Sequence, residues 1–331
     1  MLKTERQDHS EIYTELYSVI EDELTETEQL LQKELSSQYT FVNDLLSKTN
    51  RLAGKRLRPA LLLLFGKACG TMDTNHVTLA AAIEMVHTAT LVHDDILDSA
   101  VHRRHSQTIN HQYGNQVAIL TGDYLFSNAF LMTSRLPTTF AAQEIGRATN
   151  KICEGEIRQI GTQGQFEISE SDYIDIIDAK TAELCSCAAR LGAHYAGAVE
   201  TVVESAADYG TQLGIAFQIV DDLLDILGDE ENTGKSLGSD LQQQKPTLPI
   251  IHHLNSLSET AKTQRVEALL RNELPSGTIK KILLDSGSID YAQQKAKDYV
   301  KQALSSLHSL HDSTAKSILS TLPGFVLNRS H

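Results

Sequence analysis

The stretch Leu91-Val92-His93-Asp94-Asp95-Ile96-Leu97-Asp98 limits what this chain can fold into more than any other. Asp94 and Asp98 are four residues apart, so on a helix their carboxylates share a face about 5–6 Å apart at Cβ, with Asp95 to one side. Three acids are thereby expected to converge on one spot. The run before them, residues 80–92, is largely apolar and rich in helix formers, which predicts a helix buried on most sides. Unpaired carboxylates in such a place would cost on the order of several kcal/mol each or take up protons, and a hard divalent cation such as Mg²⁺ removes that cost. The arrangement recurs: Asp221-Asp222-Leu223-Leu224-Asp225 follows the apolar segment 214–220, so two acidic clusters are available to face each other.

No Pro-, Gly- or Ser-rich linker divides the 331 residues, and we read one all-α domain, 1–331, whose first 35 residues form an amphipathic helical segment suited to packing or oligomerisation. With only 6 prolines, long helices are permitted, and no segment alternates with the period of a strand. Lys and Arg number 29 against 43 Asp and Glu, a net charge of −14, which argues against a nucleic-acid partner and does not favour anionic lipid. The four cysteines lack zinc-type spacing and no signal peptide is evident, so reduced, cytoplasmic thiols are expected. No apolar run is long enough to span a bilayer, which leaves only a peripheral membrane contact open.

In Gly54-Lys55-Arg56-Leu57-Arg58-Pro59 three cations precede a helix that Pro59 is expected to open. Cations there oppose the helix dipole, so either an anion such as phosphate sits among them or the segment is a solvated basic loop. Arg103-Arg104 lies just beyond the first acidic cluster, suiting a polyanion or simple salt bridges to those acids. Further helices are expected over 122–130 and 141–160, with Glu154, Glu156 and Gln159 on a solvated face. Another is expected from Ser171 to Gly197, with Lys180 and Thr181 inside it and Lys180 free to snorkel. A polar loop, 228–244, carries Lys235 and Asp240 and ends at Lys245-Pro246-Thr247-Leu248-Pro249; loops this long are usually functional or mobile.

Five separated motifs, in this order, resemble the trans-isoprenyl diphosphate synthases, the long-chain octaprenyl and heptaprenyl members above all. The resemblance implies a single-domain bundle of helices around a deep central cavity. It also implies a Mg²⁺-dependent, head-to-tail condensation of isopentenyl diphosphate with an allylic diphosphate. Asp94, Asp98 and Asp221, with Asp95, Asp222 and Asp225 nearby, would hold the three Mg²⁺ that such enzymes use. Arg103, Lys180, Gln218 and Lys235 would contact the allylic diphosphate, with Thr181 and Lys245 also in the substrate site. Lys55, Arg58, His87 and Arg104 match the isopentenyl diphosphate positions, and His87 stands two helical turns before Asp94. His105 and Gln244 depart from the family by replacing the usual glycine.

A product of thirty to forty carbons is expected, because Val86, Ala89 and Thr90 are small or medium. They give roughly 12 Å of wall from Val86 to Asp94 with no aromatic block, and the floor is placed near Ile145. Earlier closure by another side chain would give a product of fifteen to twenty carbons. A terpene cyclase would lack the second diphosphate site, and a non-catalytic subunit of a two-component synthase would have degraded acidic clusters. The family is commonly homodimeric.

Overall fold

The apolar runs that end in acids fold as the two longest helices among the described residues, Thr74–Leu97 and Glu200–Leu227. The structure, a computed structural model, describes residues 17–49, 54–103, 106–228 and 238–328. In chain order the helices are α1 (Glu21–Glu34), α2 (Thr40–Thr49), α3 (Leu57–Cys69), α4 (Thr74–Leu97), α5 (Ile109–Tyr113), α6 (Asn115–Ser134), α7 (Phe140–Gly161), α8 (Glu170–Ile177), α9 (Glu183–Tyr195), α10 (Glu200–Leu227), α11 (Ser239–Gln242), α12 (Leu248–Asn255), α13 (Glu259–Leu270), α14 (Ser276–Asp285), α15 (Ser288–Ser305) and α16 (Thr314–Leu327). The all-α reading holds, with one addition that period-two patterning did not announce: an antiparallel ribbon pairing His102–Arg103 with Ser106–Gln107. The strands are too short to show alternation.

Four boundaries differ from expectation for physical reasons. The helix expected over 122–130 begins seven residues earlier, at Asn115, because Gly114 with φ +85° stops the preceding turn. Pro59 is the third residue of α3 rather than its first, still within the turn whose N–H groups have no intrahelical partner. The helix expected from Ser171 starts at Glu170, because Ser169 caps it by accepting from the Asp172 N–H while Asp172 reaches back. That helix is also broken by a π turn, Asp178–Ala182, which carries Lys180 and Thr181. Of the amphipathic N-terminal segment, residues 1–16 lie outside the described residues.

Two apolar cores share α10. One gathers α3, α4, α6, α9 and the first half of α10. The other gathers α8, α12, α15 and the second half of α10. The cysteines carry no disulfide, and Cys185 and Cys187 are buried in the first core. No described helix is long and apolar enough to cross a membrane. The contact of α9 with α3 depends on a missing side chain: a Cβ at Gly192 would lie 2.1 Å from the Leu62 carbonyl oxygen. Backbone cannot yield as a flexible side chain can. Gly192→Ala is therefore expected to cost about 3 kcal/mol, read as a lowered denaturation midpoint against a neutral control such as Gly277→Ala, where a Cβ meets open space.

Candidate active site

The C-terminal ends of α4 and α10 open into one cavity of about 510 Å³. Asp94 and Asp98 reach it from α4, and Asp221, Asp222 and Asp225 from α10. The α3 helix contributes Arg58, the π turn Lys180 and Thr181, and the segment after residue 238 contributes Asp240 and Lys245. Seven carboxylates and four Lys or Arg side chains line the cavity among the described residues. An excess of negative charge follows, which selects for cations.

The first acidic cluster does not act as a trio. Asp95 is buried and accepts from Arg103 Nε at 2.7 Å, because one helical step turns it away from the face of Asp94. Arg103 thus makes the expected salt bridge and lines the cavity as well. Asp222 is likewise committed: it accepts from the Tyr173 hydroxyl at 2.6 Å and from Gln218 Nε2 at 2.8 Å. The Gln218 amide oxygen in turn accepts from the Thr181 hydroxyl at 2.7 Å. Asp95 is off the cavity wall, whereas Asp222 lines the cavity beside Asp94, Asp98, Asp221 and Asp225 while it holds Tyr173 and Gln218 in place.

Lys180 does not snorkel. Its ammonium donates to Glu156 at 2.7 Å and to the Gln159 amide oxygen at 2.8 Å, so those two residues lie on the cavity wall and not on a solvated face. Periodicity could not find them; the signal was Gly155 between two acids, since only a residue without Cβ lets α7 approach Ala179, where a Cβ would stand 2.8 Å away. Tyr173 and Asp240 were also missed, for want of a local pattern. Lys245 is buried and donates to Asp98 at 3.0 Å, which ties the chain after α11 to the end of α4. Gln244 adopts φ +55°, the left-handed region that glycine favours, so the shape of the turn is kept at an order of 1 kcal/mol of strain.

In the basic segment only part of the expected grouping is present. Arg58 Nη1 donates to His87 Nε2 at 3.2 Å, and both residues line the cavity. Arg58 Nε is buried with no hydrogen-bond partner among the described residues, a donor suited to an anionic oxygen. Lys55 is exposed and is not on the cavity wall. Arg104, His105 and Lys235 lie outside the described residues.

Thr90 lines the cavity, whereas Val86, Ala89 and Ile145 are fully buried in the core and do not. They do not form one patch with Thr90. At 3.6 residues per turn Ala89 sits about 140° round the helix from Asp94, while Thr90 is only about 40° away.

The carboxylates fit Mg²⁺ by donor type, all being hard oxygens in a cavity with excess negative charge. Among the described residues no three His, Cys, Asp or Glu side chains are grouped closely enough to hold an ion. That spacing suits Mg²⁺, which keeps waters and is bound by one or two carboxylates together with phosphate oxygens. Burial pushes Asp94 up to about 6, with Glu156 and Asp98 adding to it against Lys180 and Arg103. Burial also raises Asp240 to about 6, helped by Asp225, and Asp222 to about 8, helped by Asp240.

The polyprenyl synthetase family model matches residues 40–285. The octaprenyl diphosphate synthase of Escherichia coli is 34% identical over 304 residues, covering 90% of this chain and 93% of that protein. The short chain isoprenyl diphosphate synthase of Methanothermobacter thermautotrophicus is 36% identical over 284 residues, covering 84% and 87%. Among solved structures, a polyprenyl synthase from Caulobacter crescentus CB15 complexed with calcium and isoprenyl diphosphate superimposes with a TM-score of 0.91 at 30% identity, covering 96% of this chain and 98% of that one.

Each raised carboxyl binds its proton more tightly in the folded than in the unfolded chain, so its contribution is full at low pH and is lost as pH rises from about 4 to about 8. A divalent cation competes with those protons and binds only the folded form. Mg²⁺ is therefore expected to raise the thermal midpoint more at pH 8 than at pH 5. Differential scanning calorimetry with Mg²⁺ or with a chelator checks it, and an equal shift at both values would contradict the assignment.

Proposed function

Because the chain belongs to the polyprenyl synthetase family and is a polyprenyl diphosphate synthase, a transferase, we propose that it condenses isopentenyl diphosphate head-to-tail with an allylic diphosphate to a trans product of thirty to forty carbons. The observation that carries this is a single cavity joining two acid-bearing helix ends to four cations, Arg58 beside His87 and Arg103, Lys180 and Lys245 beside carboxylates. Asp94, Asp98 and Asp221, with Asp225 beside them, would hold Mg²⁺, which would supply Lewis-acid stabilisation of the departing diphosphate. Arg103, Lys180 and Lys245 stand next to those carboxylates and meet the same developing charge. Binding of a diphosphate lets Lys180 leave Glu156, and Lys245 leave Asp98, for phosphate oxygens.

Breaking the allylic C–O bond leaves an allylic cation, which the isopentenyl double bond attacks; the proton then lost passes to the released diphosphate. No protein nucleophile is required. Leu91, Ile152 and Phe217 give the cavity apolar wall that keeps water from the cation. Arg58 and His87 hold the second diphosphate, which separates this reaction from that of a terpene cyclase. A second copy of the chain is the proposed cover for Ile119, Leu120 and Leu131, exposed apolar side chains on α6.

The long product is supported by relatives named for octaprenyl and nonaprenyl synthesis, although short-chain relatives match as well. Thr90 is the residue of the expected chain-length set that meets the cavity. Asp94→Ala and Asp221→Ala are expected to lower kcat/KM by at least about 10²-fold while the helical circular-dichroism signal is kept. Near-normal turnover of either at saturating Mg²⁺ would remove the shared site. Thr90→Phe is expected to shorten the product and spare the first condensation. The mass of products made from isopentenyl diphosphate and short allylic diphosphates checks it, and unchanged length would place the limit elsewhere.

A further inference from the structure

Arg56 lies between Lys55 and Arg58, yet it makes no part of the cavity wall. It caps α3 with φ +50°, a left-handed conformation uncommon for a residue with a side chain. Its guanidinium is fully engaged on the inner side of the turn. Nε and Nη2 donate to the two carboxylate oxygens of Glu28 at 2.5 and 3.0 Å, and Nη1 donates to Glu84 at 2.5 Å. Glu28 belongs to α1 and Glu84 to α4, so one side chain ties three helices. The Tyr17 hydroxyl fixes the adjoining backbone by donating to the Lys55 carbonyl at 2.5 Å.

Glu84 has no place in the chemistry, although it is buried in an apolar helix where a carboxylate is costly. It stands three residues before His87, the partner of Arg58. Both ends of the Arg58–His87 pair are therefore referenced to the same guanidinium: Arg58 through the turn that Arg56 caps, His87 through the helical turn that carries Glu84. We propose that Arg56, Glu28 and Glu84 are positioning residues that set Arg58 and His87 for the isopentenyl diphosphate, which gives α1 a role in specificity for the second substrate. The proposal rests on the assignment of that diphosphate to Arg58 and its neighbours.

The test is steady-state kinetics of the full chain with each substrate varied in turn. Arg56→Lys keeps the charge but cannot reproduce three bonds in a fixed fork. Glu28→Ala removes the outer carboxylate, which is 42% exposed, and so leaves the core packing intact. Each is expected to raise the KM for isopentenyl diphosphate about tenfold, the weight of one charge-assisted bond, with the KM for the allylic substrate within about twofold. On an Arg58→Ala background, Glu28→Ala is expected to add less than about twofold, because it acts through the missing cation. Equal rises in both KM values, or full additivity on that background, would overturn the positioning role. If Arg58→Ala itself raises both KM values alike, the diphosphate assignment fails instead. Should Arg56→Lys not fold, Glu28→Ala carries the test.

Discussion

Everything at the centre of this molecule depends on carboxylates carried into an apolar interior by helices that have no other way to pack. The faces of α4 and α10 bury Ala, Ile, Val and Leu side chains along most of their length, each worth about 1.5–3 kcal/mol for the larger ones. That term fixes the helices, and the acids at their C-terminal ends come with them. The structure answers with three of the four cavity cations: Arg103 on Asp95, Lys180 on Glu156, Lys245 on Asp98. Four cations against seven carboxylates still leave the cavity negative, and burial raises Asp94, Asp222 and Asp240 accordingly.

Placing those cations required distortions of the regular backbone. The π turn at Asp178–Ala182 adds a residue to the helical ladder and brings Lys180 and Thr181 to the cavity, where a straight helix from Glu170 to Tyr195 would set a different register. Gly155 opposite it lets α7 come close enough for Glu156 and Gln159 to meet Lys180. Two left-handed residues with side chains, Arg56 and Gln244, stand just before cavity cations, Arg56 two residues before Arg58 and Gln244 one before Lys245. Such strain is retained where the surroundings over-determine it, here by ion pairs on Arg56 and by the Gly164 N–H donating to the Gln244 carbonyl.

What could be read in the residues was whatever depends on spacing within one helix. Asp94 with Asp98, and Asp221 with Asp225, follow from the four-residue repeat, and the apolar runs before them identify α4 and α10. The division of labour within each cluster was not legible, because the commitment of Asp95 and Asp222 to protein partners is set by Arg103 and Tyr173, from other elements. Glu156 and Gln159 were assigned to solvent for the same reason: a polar patch on an amphipathic helix looks alike whether it meets water or a buried lysine. Of the expected Val86–Ala89–Thr90 wall Thr90 meets the cavity, while Ala89, five residues from Asp94, lies on another face of the helix, since residues three and four apart share one.

The cations of the cavity divide by what holds them. Lys180 and Lys245 are paired with carboxylates, so an anion that takes either lysine must release Glu156 or Asp98. Arg58 is held by a ring nitrogen of His87 and keeps a buried donor, Nε, without a partner, so an anion reaching it displaces no ion pair. Removing a buried charge from its partner costs far more than filling an empty donor. In the proposed reading the metal and the first diphosphate draw on groups joined by these ion pairs, whereas Arg58 offers a donor of its own, and its geometry falls to Arg56 and the helices it joins.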